Sequence, residues 1–250
     1  MWKLSVVIIT KNEERNIGRC LQSVQRVADD VVVLDAMSED HTEQICRQYG
    51  AHFVQREWAG YVDSKNFANL LAENDMIMSL DADEVLSEEL VHSVLALKAS
   101  EWMPGCVYSM NRKMNYCGQW IMHGGWYPDT KVRIFDRRHV KWVGRKVHEV
   151  LSIPSDFQVV RLNGDLLHYS FYTVEEHRRQ NAFFAQLFAE DAIQQGIKTL
   201  PLTPYWHAGW RFLRDYFFKL GFMDGSYGWK INLINAQGVF LKYRLIRKSK

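Results

Sequence analysis

The stretch Met76-Ile77-Met78-Ser79-Leu80-Asp81-Ala82-Asp83-Glu84 is an apolar run that stops abruptly in carboxylates. A short continuous apolar run is the pattern of a strand buried on both faces of a parallel sheet. Positions two apart on a strand share a direction, so Asp81 and Asp83 are expected to leave the sheet edge side by side. Carboxylates that converge there need water, hydrogen bonds or a cation, because burying them unpaired is expensive. In open α/β sheets that edge, beyond the carboxyl ends of the strands, is where ligands bind. A hard divalent ion such as Mg2+ or Mn2+, held by one or two of these carboxylates with a substrate phosphate completing its shell, suits the pattern. The plainer alternative is a strand running into an acidic, solvated turn. The metal reading fails if the two side chains point to opposite sides, or if they are tied up in internal ion pairs with no room for a diphosphate.

The preceding chain supplies the neighbours of this strand. Residues 5–9 are a β-branched run that reads as a buried strand, and Thr10-Lys11-Asn12-Glu13 turns into a helix with Ile17, Cys20, Leu21 and Val24 on one face. Residues 31–34 form the next strand, which ends at Asp35. Ser38 or Asp40 then caps a helix containing Ile45 and Tyr49, stopped by Gly50. Residues 51–55 are a third short strand, and Asp63 or Ser64 opens a helix carrying Phe67, Ala68, Leu71 and Ala72. After the acidic stretch, Ser87 caps an acid-led helix that buries Leu90, Val91, Val94 and Leu95. Strand and helix alternate through the first hundred residues, the signature of a parallel sheet covered on both faces. Neither GxGxxG nor GxxxxGK[ST] follows the first strand, which disfavours dinucleotide and P-loop sites.

From Cys106 onward the pattern changes. Short β-rich pieces at 106–112, 131–135, 157–162 and 166–171 are split by aromatic, glycine-rich segments such as Gly124-Gly125-Trp126-Tyr127. This predicts a mixed extension of the sheet in which a second ligand is gripped. Thr173 and Glu176 have capping-box spacing and start a helix that ends near Gly196. Pro201 and Pro204 are expected to break the chain before the tail.

The tail is where charge becomes informative. The whole chain carries a net +2, but residues 205–250 hold nine Lys/Arg against Asp215 and Asp224, so the tail is +7 and the rest −5. Twelve aromatic residues lie among those bases. Trp and Tyr settle at the headgroup level of a bilayer, and Lys/Arg are drawn to anionic lipid. The tail is therefore read either as a peripheral membrane contact or as a helical cover packing Trp210, Leu213, Phe217 and Leu220 on the main domain. Nucleic acid is not an expected partner, since aromatics at helical spacing more often mean core or lipid than base stacking. No stretch approaches the roughly 20 apolar residues that span a bilayer, and residues 4–9 are too short for a signal-peptide core. Cys20, Cys46, Cys106 and Cys117 lack zinc-type or CxxC spacing and read as reduced thiols. The expected location is the cytoplasm, or the cytoplasmic face of the inner membrane.

With these pieces in order, the sequence resembles the inverting family 2 glycosyltransferases of GT-A fold, and within them the subgroup that includes the lipopolysaccharide-core glucosyltransferases. The residues that carry the likeness are Val6-Val7-Ile8-Ile9-Thr10-Lys11-Asn12-Glu13-Glu14, Val33-Leu34-Asp35 with Ser38, Asp40 and Thr42, Gly60-Tyr61, Lys65-Asn66-Phe67-Ala68, and Ser79 through Glu84. Downstream come Arg133-Ile134-Phe135, Trp142-Val143-Gly144 and Val147-His148-Glu149. One departure is visible: Ala36-Met37 follow the second-strand aspartate where the family has a small residue and then glycine, and Met37 leaves the backbone less free.

The resemblance implies an α/β fold of GT-A, Rossmann-like type: a mixed, mainly parallel sheet flanked by helices, with a C-terminal helical aromatic and basic extension. It implies a nucleotide-sugar half over 1–100, an acceptor-side mixed β region over 101–172, and the extension over 173–250. The implied activity is transfer of a hexose from a nucleotide-diphosphate sugar, such as a UDP-sugar, to a glycan or lipid-linked glycan, in lipopolysaccharide or other cell-surface glycan assembly. Asp83 is then the metal ligand, and Asp81 turns to the ribose or the metal. Thr10, Asn12, Glu13 and Asp35 line the base and ribose pocket, and Lys65 reaches the base or a phosphate. Inversion needs a base that takes the acceptor hydroxyl proton. Glu149 is the choice for it, with His148 orienting it or touching phosphate, and with Asp129 and then His168 as alternatives. A sugar-phosphate nucleotidyltransferase would share the sheet and acidic site, but would carry a basic, glycine-rich loop where Lys11-Asn12-Glu13-Glu14 stand. A non-catalytic scaffold of the same fold is the remaining alternative.

Overall fold

The computed structural model describes residues 2–145 and 148–248; the side chains of Arg145 and His148 also lie outside the description. The chain forms two compact units, one of residues 1–112 and 130–168, the other of 113–129 and 169–250.

In the first unit β1 (Leu4–Thr10), β2 (Asp30–Asp35), β3 (His52–Gln55) and β4 (Met76–Asp81) run parallel, joined by α1 (Ile17–Val24), α2 (Thr42–Gln48) and α3 (Tyr61–Leu71). The chain continues through β5 (Glu84–Leu86), α4 (Glu88–Ala99), β6 (Cys106–Tyr116), β7 (Gln119–Ile121) and β8 (Asp129–Asp136). A two-stranded hairpin of β9 (Lys141–Arg145) and β10 (His148–Ser152) precedes the long β11 (Gln158–Phe171). The sheet order is β3-β2-β1-β4-β8-β6-β11-β5, with β7 paired to β6. β4–β8 and β11–β5 are antiparallel, so the sheet is parallel in its first half and mixed beyond. This is the mainly parallel, Rossmann-like architecture expected of the GT-A fold.

The period of two along each strand explains the core. Val6, Ile8, Val33, Met78 and Leu80 point to one face, where Ile17, Cys20, Leu21 and Val24 of α1 and Leu90, Val91 and Val94 of α4 cover them. Val7, Val32, Leu34 and Ile77 point to the other, against Ala68 of α3, Phe135 and Trp142. Each such fully buried aliphatic side chain contributes about 1.5–3 kcal/mol of transfer free energy.

Several local expectations are corrected. α3 begins at Tyr61 after Gly60, ahead of Asp63 and Ser64. α2 takes His41 as its N-cap residue, and Asp40 instead accepts from the backbone N–H of Thr42 at 3.0 Å. The pieces 157–162 and 166–171 are one strand, β11, which passes through Asn163-Gly164-Asp165. Gly164 has φ +92°, and a Cβ there would lie 2.3 Å from the backbone N of Leu90, so only glycine lets the strand run under the start of α4.

The second unit is built on α5 (Val174–Gln194), α6 (Thr203–Leu213), a π-turn (Arg214–Phe218), a 3-10 turn (Gly221–Asp224) and α7 (Gly225–Lys248). The Thr173–Glu176 capping box forms as the sequence predicts. Pro204 does not break the chain but sits in the first turn of α6, where its missing N–H costs nothing. Around Tyr116, the rings of Phe171, His177 and Tyr227 pack edge to face, and burial pushes the His177 imidazole down to about 4.

Candidate active site

Strand register brings the sequence-predicted residues to one edge. Thr10 pairs with Asp35 across β1–β2, and Ile9 pairs with Asp81 across β1–β4, so Thr10, Asp35 and Asp81 sit together at the carboxyl ends of three neighbouring strands. From α3 on the covering layer, the buried Lys65 extends its ammonium to 3.1 Å from Asp81 Oδ1 and 3.7 Å from Glu149 Oε1, with the Trp142 ring 4.5 Å away. Glu149 is carried by β10, opposite Gly144 in the β9–β10 hairpin. That hairpin is fastened to α3 by Asn66, whose Nδ2 donates to the carbonyl of Trp142 at 2.8 Å while its Oδ1 accepts from the Trp142 N–H at 3.0 Å. Lys65, Asp81, Glu149, Arg112, Lys131 and Arg133 line a cleft of about 350 Å³.

The carboxylates are not equivalent. The strand ends at Asp81 and a turn follows, so the alternation that would set Asp83 beside it does not extend that far. Asp81 lies between Lys65 and Arg133, whose Nη2 is 3.0 Å from Asp81 Oδ2. Burial works to raise the Asp81 carboxyl, but Lys65 and then Arg133 overcome it and hold the group well below the usual range. Asp83 instead meets His168, with Oδ2 at 2.9 Å from Nε2. The expectation that both acids stand free for a cation is therefore corrected: Asp81 is charge-balanced internally, and Asp83 has an imidazole for its neighbour. Among the described residues no group of three or more His, Cys, Asp or Glu converges on one point. What the chain offers a cation is one carboxylate and one imidazole, an open set that a diphosphate and water would complete.

The remaining predicted residues divide between the pocket and its walls. Thr10 Oγ1 is buried with no hydrogen-bond partner among the described residues, a free polar atom at the mouth of β1. Asp35 is fully buried and accepts from Ser38 N, Ser38 Oγ and Gln55 Nε2 at 2.7, 2.5 and 3.1 Å, so it organises the turn after β2. Asn12 takes a positive φ of 53° and ties the two loops together, its N–H donating to Ser38 Oγ and its Oδ1 accepting from Glu39 N. Met37, at the position where glycine is usual, holds φ +60°, so the left-handed turn persists without glycine. Glu13 accepts from Asn16 Nδ2, and burial, with Asp83 and Asp40 adding to it against that bond, pushes its carboxyl up to about 7. The side chain of His148 lies outside the described residues. Asp129 opens β8 and belongs to the second unit, whereas His168 belongs to the first.

Three participants were given no role in the site by the sequence. Glu84 is completely buried and bonds the backbone N–H of Asp81 at 3.1 Å. Arg133 Nη2 approaches its other oxygen at 2.5 Å and Arg112 Nη1 comes to 3.5 Å. Burial opposes the charge on Arg133, but Glu84 and then Asp81 raise its proton affinity above the ordinary arginine. The available signal was the third acid of Asp81-Ala82-Asp83-Glu84, which strand alternation on β5 turns inward and which then demands a cation.

Comparison with known proteins identifies the family. The family model "Glycosyl transferase family 2" matches residues 5–149. An uncharacterized glycosyltransferase of Rickettsia felis is 31% identical over all of this chain and 91% of its own length. The lipopolysaccharide core biosynthesis glycosyltransferase LpsC of Rhizobium meliloti is 27% identical over 92% of this chain and 84% of its own. A crystal structure of a mycobacterial protein superposes with a TM-score of 0.50 at 17% identity, covering 75% of this chain and 74% of that one, which is a likeness of fold. The mainly parallel sheet with acidic residues at its carboxyl edge is the arrangement of the GT-A fold. The chain belongs to glycosyltransferase family 2.

Proposed function

We propose that this glycosyltransferase moves a hexose from a nucleotide-diphosphate sugar, a UDP-sugar, to a glycan or lipid-linked glycan, inverting the anomeric carbon. The likeness to LpsC supports a place in lipopolysaccharide or related cell-surface glycan assembly. One observation carries the reading: Glu149 and Asp81, far apart in sequence, are held by the same ammonium of Lys65 at the wall of one cleft. In this reading Glu149 is the acceptor-side base and Asp81 belongs to the donor-side edge, and both carboxylates line that one cleft.

In this reading Glu149 accepts the proton of the acceptor hydroxyl at a carboxylate oxygen, and Lys65 and the Asn66-pinned hairpin keep it in place. Thr10 Oγ1, lacking a partner, donates or accepts at the base or ribose of the donor. Asp35, Asn12 and Glu13 shape the loops around it. Asp83 with His168 would hold the divalent ion, and the nitrogen donor favours Mn2+ over Mg2+. When bound, such an ion supplies Lewis-acid neutralisation of the departing diphosphate. Asp81 keeps Lys65 and Arg133 oriented toward the same region.

The test is turnover of UDP-, GDP- and dTDP-sugars, alone and with a glycan acceptor, in Mg2+ or Mn2+. Asp83→Ala is expected to lose metal-dependent turnover. Glu149→Gln is expected to bind donor and to lose transfer by about 10²–10⁴-fold, the usual worth of a positioned base. Full transfer by Glu149→Gln, or a product of retained anomeric configuration, would refute the mechanism.

A further inference from the structure

The second unit turns an apolar face to solvent. Leu202, Trp206, Trp210, Leu213 and Phe217 recur at helical spacing along α6 and into the π-turn, and every one is exposed, Trp206 by 74%. Phe218 is 73% exposed beside them. A soluble helix ordinarily buries such a stripe, and a contiguous aromatic patch left open marks an interaction surface.

Beside the stripe lies a charge cluster of unusual balance. Asp215 is buried, with Arg211 Nε at 2.5 Å, Arg214 Nε at 2.7 Å and Lys219 Nζ at 3.7 Å from its oxygens. Three bases share one carboxylate, which leaves two positive charges on side chains that remain 37–46% exposed. No described helix is long and apolar enough to cross a membrane, so the face can lie on a bilayer but not span it as a helix.

We propose that the face of α6 and the following turn is a docking surface for an anionic lipid bilayer. Trp206, Trp210 and Phe218 enter the headgroup level, and Arg214 and Lys219 meet the lipid phosphates. The chemistry of the two parts is complementary to such a surface: amphipathic aromatics favour the interface, and excess base favours its negative potential. A second copy of the chain would bury the aromatics equally well but would set the like-charged clusters of the two copies near each other. The proposal does not depend on the reaction assigned to the cleft, and its readout is binding, so each can fail without the other.

The experiment floats the full chain with vesicles of phosphatidylcholine, with and without phosphatidylglycerol, at low and high salt. Binding to the phosphatidylglycerol vesicles, weakened by salt, is expected, with a blue shift of tryptophan emission. Trp206→Ser with Trp210→Ser should lose binding by at least about tenfold, and Arg214→Gln or Lys219→Gln by about fivefold each. Circular dichroism spectra and melting temperatures of these variants should match the parent. Three results would overturn the proposal: no binding by the folded chain, equal binding to neutral vesicles, or a dimer that Trp206→Ser dissociates.

Discussion

Glu13 shows how far a single side chain's behaviour depends on its neighbours. Its carboxyl is pushed up to about 7, from an ordinary 4.5, first by burial and then by Asp83 and Asp40, with the Asn16 hydrogen bond opposing. The folded state thus binds this proton more tightly than the unfolded chain does. Its contribution to stability is complete below the unfolded pKa of about 4.5 and fades as pH rises through about 7. Glu13→Gln is expected to flatten this part of the profile, checked by urea midpoints across that window. Parallel profiles for the two proteins would remove the burial argument. The position of Glu13 at the mouth of β1 was legible from its place after an apolar run. Its proton affinity was not, because Asp83 lies seventy residues away in the sequence. The same holds for Glu84, an acid whose inward direction is written in strand alternation but whose partners Arg112 and Arg133 become neighbours only when β6 and β8 take their places in the sheet.

Elements set the geometry that single residues use. The β9–β10 hairpin carries Glu149, and one amide side chain of α3, Asn66, holds both the N–H and the C=O of Trp142 in it. Removing that amide in Asn66→Ala leaves the N–H and C=O of Trp142 without their partners, at a cost of about 1–3 kcal/mol. Because Gly144 pairs with Glu149 two residues beyond Trp142, the loosened hairpin should also slow transfer while donor binding is retained. Denaturant titration and separate KM and kcat measurements for donor and acceptor check both halves; a drop in donor affinity alone would contradict the role. Gly164→Ala should be harsher, at least about 2 kcal/mol, because a Cβ there meets backbone rather than a side chain that can move. Periodicity revealed the parallel strands well, since each is buried on both faces and leaves little else for an apolar run to be. It failed at β11, where Asn163-Gly164-Asp165 carries turn chemistry, yet the glycine serves a close approach inside one strand. It failed again at Pro204, whose punctuation marked a helix start and not a gap.

For the molecule as a whole the question is whether a cation belongs to the fold or only to the reaction. In the cleft and beneath it, Asp81, Glu84 and Glu149 each have a partner among Lys65, Arg112 and Arg133, so these carboxylates are matched by the chain's own cations. An unmatched buried acid would make the fold hostage to a metal; this arrangement does not. A chelator is therefore expected to abolish metal-dependent turnover while leaving the melting temperature unchanged. Ligand linkage then separates the donor from the ion. UDP with Mn2+ at about a hundred times its Kd should add about 2.7 kcal/mol, which for a chain of this size is roughly 5–10 °C in Tm. UDP with a chelator should give a much smaller shift, and Asp83→Ala should behave in Mn2+ as the parent does in chelator. Thermal melts of both proteins under the four conditions decide the matter. If the chelator alone lowers the Tm by several degrees, the ion is structural and the cleft's carboxylates are not balanced by the chain alone. If Asp83→Ala keeps the full Mn2+-dependent shift, the ion is held elsewhere and the Asp83–His168 pair serves only to close the turn after β4.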